Sequence, residues 1–391
     1  MGFQNESAPG SVRIELPMLS VPSGSAETPT SIKEGRRYPE DYVRGYIPLG
    51  QELKIAASLL IPRFGKSPRI ADFKLLDGCQ MDCNYCDANI RRGNVMTTNE
   101  VFSVLGNLKA VGIQMVNLTG GEPTLRRDLP EIISYSSNLD LFTTLNSNGR
   151  VGKKDIPDEE DYSYWYTLAE AGLKGVTFSY DGLPPKNNRR IFHLASFAVN
   201  KLKIAAGIRM VVTSGNLALM EEAGTTSMRN NILFQAVPAI ALGGETSGVA
   251  GENGFYPLSY EGRLEFAKIC ERLEKVRGPF ARFLRIPGGY IKEVVKSEKS
   301  PPWHCQQPSS HWVSVDAQGN VRVCNDVSLE KKYSLKGSDN PLLNRELHED
   351  IEKTSRACEG CAWLCHWQEN QPQWKRSLEH IRMGVTVAGL T

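Results

Sequence analysis

The sequence predicts an α/β protein: a partial, TIM-like (β/α)6 barrel followed by a small C-terminal α+β domain. Two observations carry this reading. From residue 70 to residue 237, six short apolar runs alternate with amphipathic stretches, the pattern of repeated βα units. After Pro301 the alternation gives way to two β-type runs around a turn, and 391 residues exceed the roughly 250–300 that one hydrophobic core holds.

Taken in order, residues 1–34 are rich in Ser, Pro, Gly and Thr, bury too little apolar surface to offset ordering entropy, and read as a flexible tail. Residues 35–69, with Leu53, Ile55, Leu59, Leu60 and Ile61, read as a helical extension. The barrel core spans 70–240. Its strands are expected at 70–76, 113–118, 141–145, 175–180, 208–213 and 232–237. Between the first two, Thr97-Thr98-Asn99-Glu100 resembles a capping box, and Val101, Val104, Leu105 and Leu108 follow at helical spacing. Further helices are expected at 129–136, 162–171, 188–203 and 259–276. Residues 241–299 form a connecting region that begins glycine-rich, residues 300–370 the second domain, and 371–391 a tail. In the second domain the runs 312–315 and 321–323 flank Asp316-Ala317-Gln318-Gly319-Asn320, a hairpin signal. A barrel of this kind places its active site at the C-terminal strand ends.

A hydrophobic content of 40%, a charged content of 23% and a net charge of +2 give no support for nucleic-acid binding. No apolar run reaches the ~18–20 residues that span a bilayer, and no secretory signal opens the chain. The expectation is a cytosolic protein without a membrane partner. In a reducing compartment nine cysteines are metal ligands or catalytic groups rather than a disulfide framework.

Cys79, Cys83 and Cys86 form CxxxCxxC directly after the first strand. Three thiolates on one short loop fit three corners of a cubane cluster and leave its fourth iron open for chemistry; a zinc knuckle is the alternative. One βα unit later comes Thr119-Gly120-Gly121-Glu122-Pro123, where two glycines permit close backbone approach to a ligand and Glu122 offers an acceptor for an ammonium group.

Together these motifs resemble the radical S-adenosylmethionine (SAM) superfamily, whose members carry CxxxCxφC, with an aromatic residue at φ, and GGE on the following strand. Tyr85 holds the aromatic position. The resemblance, over about residues 70–240, implies a [4Fe–4S] cluster on Cys79, Cys83 and Cys86, with SAM chelating the free iron. It also implies that Gly120, Gly121, Glu122 and Pro123 hold the methionine amine. Ser147-Asn148-Gly149 is similar to the family's TNG, and Ser179-Tyr180-Asp181-Gly182 to its SLDG. Arg189 or Arg190 stands where relatives place an arginine on the SAM carboxylate. Strand alternation puts Thr177, Ser179 and Asp181 on one face, so Ser179 is a candidate ligand-facing residue; ordinary turn chemistry is the other reading of Ser147, Asn148 and Asp181.

Cys305, Cys324, Cys358, Cys361 and Cys365 lie in the last quarter. CxxC plus two distant cysteines suits a tetrahedral zinc as well as an iron–sulfur cluster. Cys305 to Cys324, with Gly319 between them, resembles the C-x(9–15)-G-x4-C signature of the SPASM and Twitch domains of radical SAM enzymes, but the remainder shortens to CxxC-x3-C. The resemblance implies one auxiliary [4Fe–4S] cluster on Cys305, Cys324, Cys358 and Cys361, with Cys365 able to replace one of the pair. Trp363 and Trp367 would shield it. Cys270, on an expected amphipathic helix, reads as a small buried hydrophobe.

The family's chemistry implies reductive cleavage of SAM to a 5′-deoxyadenosyl radical that abstracts a substrate hydrogen, with the auxiliary cluster transferring electrons. Cys365 or Cys270 would be the hydrogen donor if the reaction were an epimerisation. Arg209, Gln235 and Glu245 lie near strand ends or the covering loop and read as structural. The expected substrate is a small molecule such as a sugar or aminocyclitol, oxidised or rearranged; a ribosomal peptide is the second expectation. A flavodoxin or ferredoxin would supply the electron. A non-catalytic zinc or iron–sulfur binding module is the alternative of a different class.

Overall fold

In a computed structural model of the chain, the six apolar runs form six parallel strands. They are β1 (Ile70–Lys74), β2 (Met115–Thr119), β3 (Phe142–Ser147), β4 (Gly175–Ser179), β5 (Ala205–Val212) and β6 (Leu233–Pro238). The structure describes residues 70–83, 86, 95–152, 155–156, 162–239, 258–275, 288–296, 312–325 and 327–357. All lie in a compact unit spanning Arg44–Thr391. Tyr85, Glu245, Cys305, Cys358, Cys361, Cys365, Trp363 and Trp367 lie outside the described residues, as do both expected tails and the 35–69 extension.

The connecting helices are α1 (Thr98–Ala110), α2 (Leu129–Asn138), α3 (Ser163–Glu170), α4 (Arg190–Asn200) and α5 (Met220–Arg229). The capping box opens α1: the Thr97 hydroxyl accepts from Glu100 N–H at 3.3 Å, and the Glu100 carboxylate accepts from Thr97 N–H at 2.8 Å. Its side chains Val101, Val104, Leu105 and Leu108 are all buried, as the spacing predicts. Helix α5 was not legible in the sequence. Its buried face is Met220, Ala223, Gly224, Ser227 and Met228, so small and polar residues dilute the apolar stripe.

Two further helices, α6 (Tyr260–Glu274) and α7 (Gly288–Lys296), follow β6 and pack on each other, with α6 also against α5. The hairpin strands are β7 (Trp312–Val315) and β8 (Val321–Arg322), and α8 (Arg345–Ala357) closes the described chain. Gly319 takes φ +82° in the hairpin turn, and the Asp316 carboxylate accepts from the N–H groups of Gln318 and Asn320 at 3.0 and 2.7 Å.

The hairpin does not form a sheet of its own. β7 pairs in parallel with β1, giving one eight-stranded sheet in the order β6-β5-β4-β3-β2-β1-β7-β8. Among the described residues the sheet stays open, with β6 and β8 as its edges. This is the α/β architecture of a partial TIM-like barrel.

Each strand has an apolar face and a mixed one. Ala206, Ile208, Met210 and Val212 of β5 sit in the core beneath the helices, while Arg209 and Val211 between them are half-buried on the other face. The same alternation runs through β2, β3 and β4. The inner face therefore carries Asp72, Asn117, Thr144, Asn146, Thr177, Ser179, Arg209 and Gln235.

Candidate active site

The cysteine loop leaves β1 and is held to the following unit by backbone contacts. Gly121 N–H donates to Leu76 O and Glu122 N–H to Gly78 O, both at 2.9 Å. The glycine pair also serves the packing of the turn itself. A Cβ on Gly120 would sit 2.2 Å from Leu76 O, and one on Gly121 2.0 Å from Gly78 O. The missing side chains thus let the GGE turn abut the loop that carries Cys79. Gly120 also needs its φ of +129°.

Glu122 is buried, 1% exposed. Its Oε1 accepts from the Ser147 hydroxyl at 2.9 Å and Thr124 N–H at 3.1 Å, and its Oε2 from Asn148 N–H at 2.7 Å. A carboxylate has about four acceptor positions, so one remains for a further donor. Burial pushes its pKa up, against the pull of the Asn148, Thr124 and Ser147 hydrogen bonds. Pro123 is buried at the first position of a short 3-10 turn capped by Glu122. Ser147 and Asn148 join the site through Glu122. The Asn148 amide also reaches Cys79 Sγ at 3.8 Å and Gln80 Oε1 at 3.4 Å.

Cys83 is buried, Cys79 and Cys86 half-buried, and the Cys83 carbonyl accepts from Cys86 N–H at 3.0 Å. Burial raises the Cys79 thiol; burial, against the pull of Lys186 and with smaller help from Asp181, Cys86 and Cys79, pushes Cys83 up to about 11. Among the described residues no three ligand side chains converge as they would on a single ion. A cubane spreads its three thiolates more widely than one ion does, and the donor set, three thiols of one loop, fits such a cluster. Metal charge would then supply the deprotonation that burial opposes.

Lys186 was not legible as a site residue. It lies seven residues beyond the end of β4, its side chain 15% exposed, with Nζ 3.6 Å from the buried Asp181 carboxylate. Its charge acts on both Cys79 and Cys83. Arg189 pairs instead with Glu222 at 2.5 Å, 61% exposed, and neither Glu122 nor a described cysteine is among its partners; Arg190 is exposed. Asp181 accepts from Val211 N–H at 3.0 Å, and Asn216, 2% exposed, ties the same turn to β5 by donating to Asp181 O and Val211 O. Thr177 and Ser179 are half-buried on the inner face, as alternation predicts.

Arg126 was also missed. It is 7% exposed; its guanidinium forks onto Asp128 at 2.9 and 2.6 Å, and Nη1 donates to Leu75 O and Met96 O. One side chain thus clamps both stems of the cysteine loop. Cys270 lies in the core of α6, fully buried, its thiol raised by burial, in keeping with a small apolar side chain. Cys324 follows β8; Asn325 beside it donates to Asp72 Oδ2 at 2.9 Å and accepts through its carbonyl from Lys74 Nζ at 3.2 Å. Gln318 in the hairpin turn donates to Asp77 at 3.0 Å. The hairpin is therefore fastened to β1 and to the start of the cysteine loop.

Residues 73–222 match the model of the radical SAM superfamily. Over that stretch the chain is similar to the radical SAM superfamily. A probable GTP 3′,8-cyclase of Methanococcus maripaludis is 29% identical over 175 residues, 44% of this chain and 52% of that protein. A PqqA peptide cyclase of Bradyrhizobium diazoefficiens is 31% identical over 134 residues, 34% of this chain and 33% of that protein. The chain thus spans between a third and about half of the length of these curated relatives. The crystal structure of Streptococcus suis SuiB bound to precursor peptide SuiA aligns with TM-score 0.55 at 16% identity, covering 83% of this chain and 77% of SuiB, a likeness of fold. No helix among the described residues is long and apolar enough to cross a membrane.

Proposed function

We propose that this radical SAM protein is an enzyme that abstracts a hydrogen atom from a substrate held over the inner face of the sheet. Cys79, Cys83 and Cys86 would hold a [4Fe–4S] cluster, and when bound that cluster supplies the electron that cleaves SAM to a 5′-deoxyadenosyl radical. The supporting observation is the run of contacts from the cysteine loop through Asn148 to Glu122. It links Glu122, with acceptor capacity to spare, to Cys79 of that loop. Glu122 would take the amino group of SAM, with Ser147, Asn148 N–H and Thr124 N–H fixing its carboxylate. Gly120 and Gly121 act by letting the two loops meet. Lys186 supplies the positive charge expected of Arg189 or Arg190.

Cys324, with Cys305, Cys358 and Cys361 or Cys365, would hold an auxiliary cluster that passes electrons, and the Asn325 and Gln318 contacts set the hairpin against the first site. The net reaction is the oxidation or rearrangement of a polar substrate, a small molecule in the leading reading. A peptide substrate is the second reading, favoured by the likeness to the PqqA peptide cyclase and to SuiB. An external one-electron donor such as a flavodoxin or ferredoxin completes the system.

The test is anaerobic reconstitution with iron and sulfide. About eight irons per chain and release of 5′-deoxyadenosine under reduction support the reading. Bound zinc without SAM cleavage contradicts it, as does full cleavage by Cys83→Ala.

A further inference from the structure

The sheet's inner face changes character from β1 to β6. On one side Asp72, Asn117 and Thr144, in register on β1, β2 and β3, bond to one another: Asn117 donates to Asp72 at 2.6 Å and Thr144 to Asn117 at 3.1 Å. Asp72 also accepts from Asn325 and Trp312, so its carboxylate is taken up within the protein. On the other side, Ser179, Arg209 and Gln235 are in register on β4, β5 and β6. Arg209 donates through Nε to Gln235 Oε1 at 2.9 Å. Among the described residues no acceptor meets its two terminal nitrogens.

Two residues before Arg209 the same face has no side chain at Gly207. A Cβ there would meet Leu233 and the Thr177 hydroxyl at ordinary contact distances of 3.5–3.7 Å. Gln235 holds the Nε of the guanidinium and leaves its two-nitrogen edge for another partner. That edge is the geometry that matches a carboxylate through two parallel hydrogen bonds.

We infer that Arg209, oriented by Gln235 and flanked by Ser179, is a substrate-binding residue that takes a carboxylate over the inner face of the sheet. The charge count favours a monoanion over a phosphate. Arg209 has a neutral amide and a hydroxyl for neighbours, and the field of Asp72 already offsets part of its charge. A polyphosphate asks for several cations. The inference rests on the radical SAM reading only for what the site is used for.

The test uses full-length reconstituted protein saturated with SAM, so that the open iron is filled. Acetate, its neutral isostere acetamide, and inorganic phosphate are the probes, with binding measured by ligand-observed NMR. Acetate is expected to bind the wild type at least tenfold more tightly than acetamide or phosphate, a margin in keeping with a hydrogen-bonded charge pair. Arg209→Gln should lose that margin. Arg209→Lys should keep part of it, and thermal unfolding shows whether each variant is folded. Equal binding of acetate and acetamide, preference for phosphate, or undiminished acetate binding by folded Arg209→Gln would overturn the assignment. Release of 5′-deoxyadenosine by the wild type, measured separately, bears on the parent reading alone.

Discussion

Replacing Gly121 by alanine probes the contact between the GGE turn and the cysteine loop. The new Cβ would lie 2.0 Å from Gly78 O, 2.3 Å from Gly78 C and 2.7 Å from Asp77 O, where real Cβ contacts do not fall below 3.0 Å. All three atoms are backbone, so no side chain can swing aside. The two segments must part by about 1 Å, an overpacking strain of roughly 1–3 kcal/mol. The hydrogen bonds from Gly121 to Leu76 and Glu122 to Gly78, each contributing about 0.5–1.5 kcal/mol, are stretched at the same time. A loss of about 3 kcal/mol is expected in urea unfolding followed by tryptophan fluorescence. Because Cys79 directly follows Gly78, the same shift moves a proposed cluster ligand, and displacement on this scale costs on the order of 10²-fold in rate. Gly78 is the internal control. Nothing lies within 4 Å of a Cβ there, so Gly78→Ala should stay within about 0.5 kcal/mol of the wild type. A Gly121→Ala protein with an unchanged urea midpoint and iron content, or equal damage from Gly78→Ala, would refute the reasoning.

Arg126→Ala strips both loop stems of their clamp and leaves Asp128 without its partner, and should cost about 3–5 kcal/mol in the same unfolding assay. Burial raises the Asp128 carboxyl, but the Arg126 and Thr98 hydrogen bonds and the Arg126 charge outweigh it and hold it below the usual range. A depressed carboxyl stabilises the fold above its unfolded value, about 3.9, and that contribution disappears as pH falls through the lower folded value. Asp128→Asn should therefore be less stable at neutral pH and show a shallower loss of stability below about pH 4; an acid limb identical to the wild type's would show that the pair carries no such linkage. Lys186→Met removes a positive charge acting on Cys79 and Cys83, so the first cluster's reduction potential should become more negative in an EPR-monitored redox titration. Asn325→Ala frees the hairpin from Asp72, and hydrogen exchange at residues 312–325 should accelerate while α2 is unaffected.

Much of this architecture could be read from periodicity alone. The six strands of the barrel appear within a few residues of the apolar runs, because a strand covered by helices on one face must be apolar at alternate positions. The capping box of α1 is a local pattern and was legible in full. Helix α5 was not, since Gly224 and Ser227 occupy its buried face. The parallel pairing of β7 with β1 joins residues some 240 positions apart, and no local pattern encodes it. At the site, CxxxCxxC and GGE were legible as spacings, but the partners of Glu122 and the clamp by Arg126 depend on three loops converging. Sequence spacing put a cation near the β4 turn, where the fold pairs Arg189 with Glu222 and Lys186 with Asp181.

The most direct test of the central claim is the EPR spectrum of the reduced, reconstituted protein before and after addition of SAM. An open iron at the Cys79, Cys83 and Cys86 site predicts a changed signal on SAM binding, with that change absent from Cys83→Ala, which keeps only the auxiliary cluster's signal. A wild-type spectrum that SAM leaves untouched, with no 5′-deoxyadenosine formed, would contradict it.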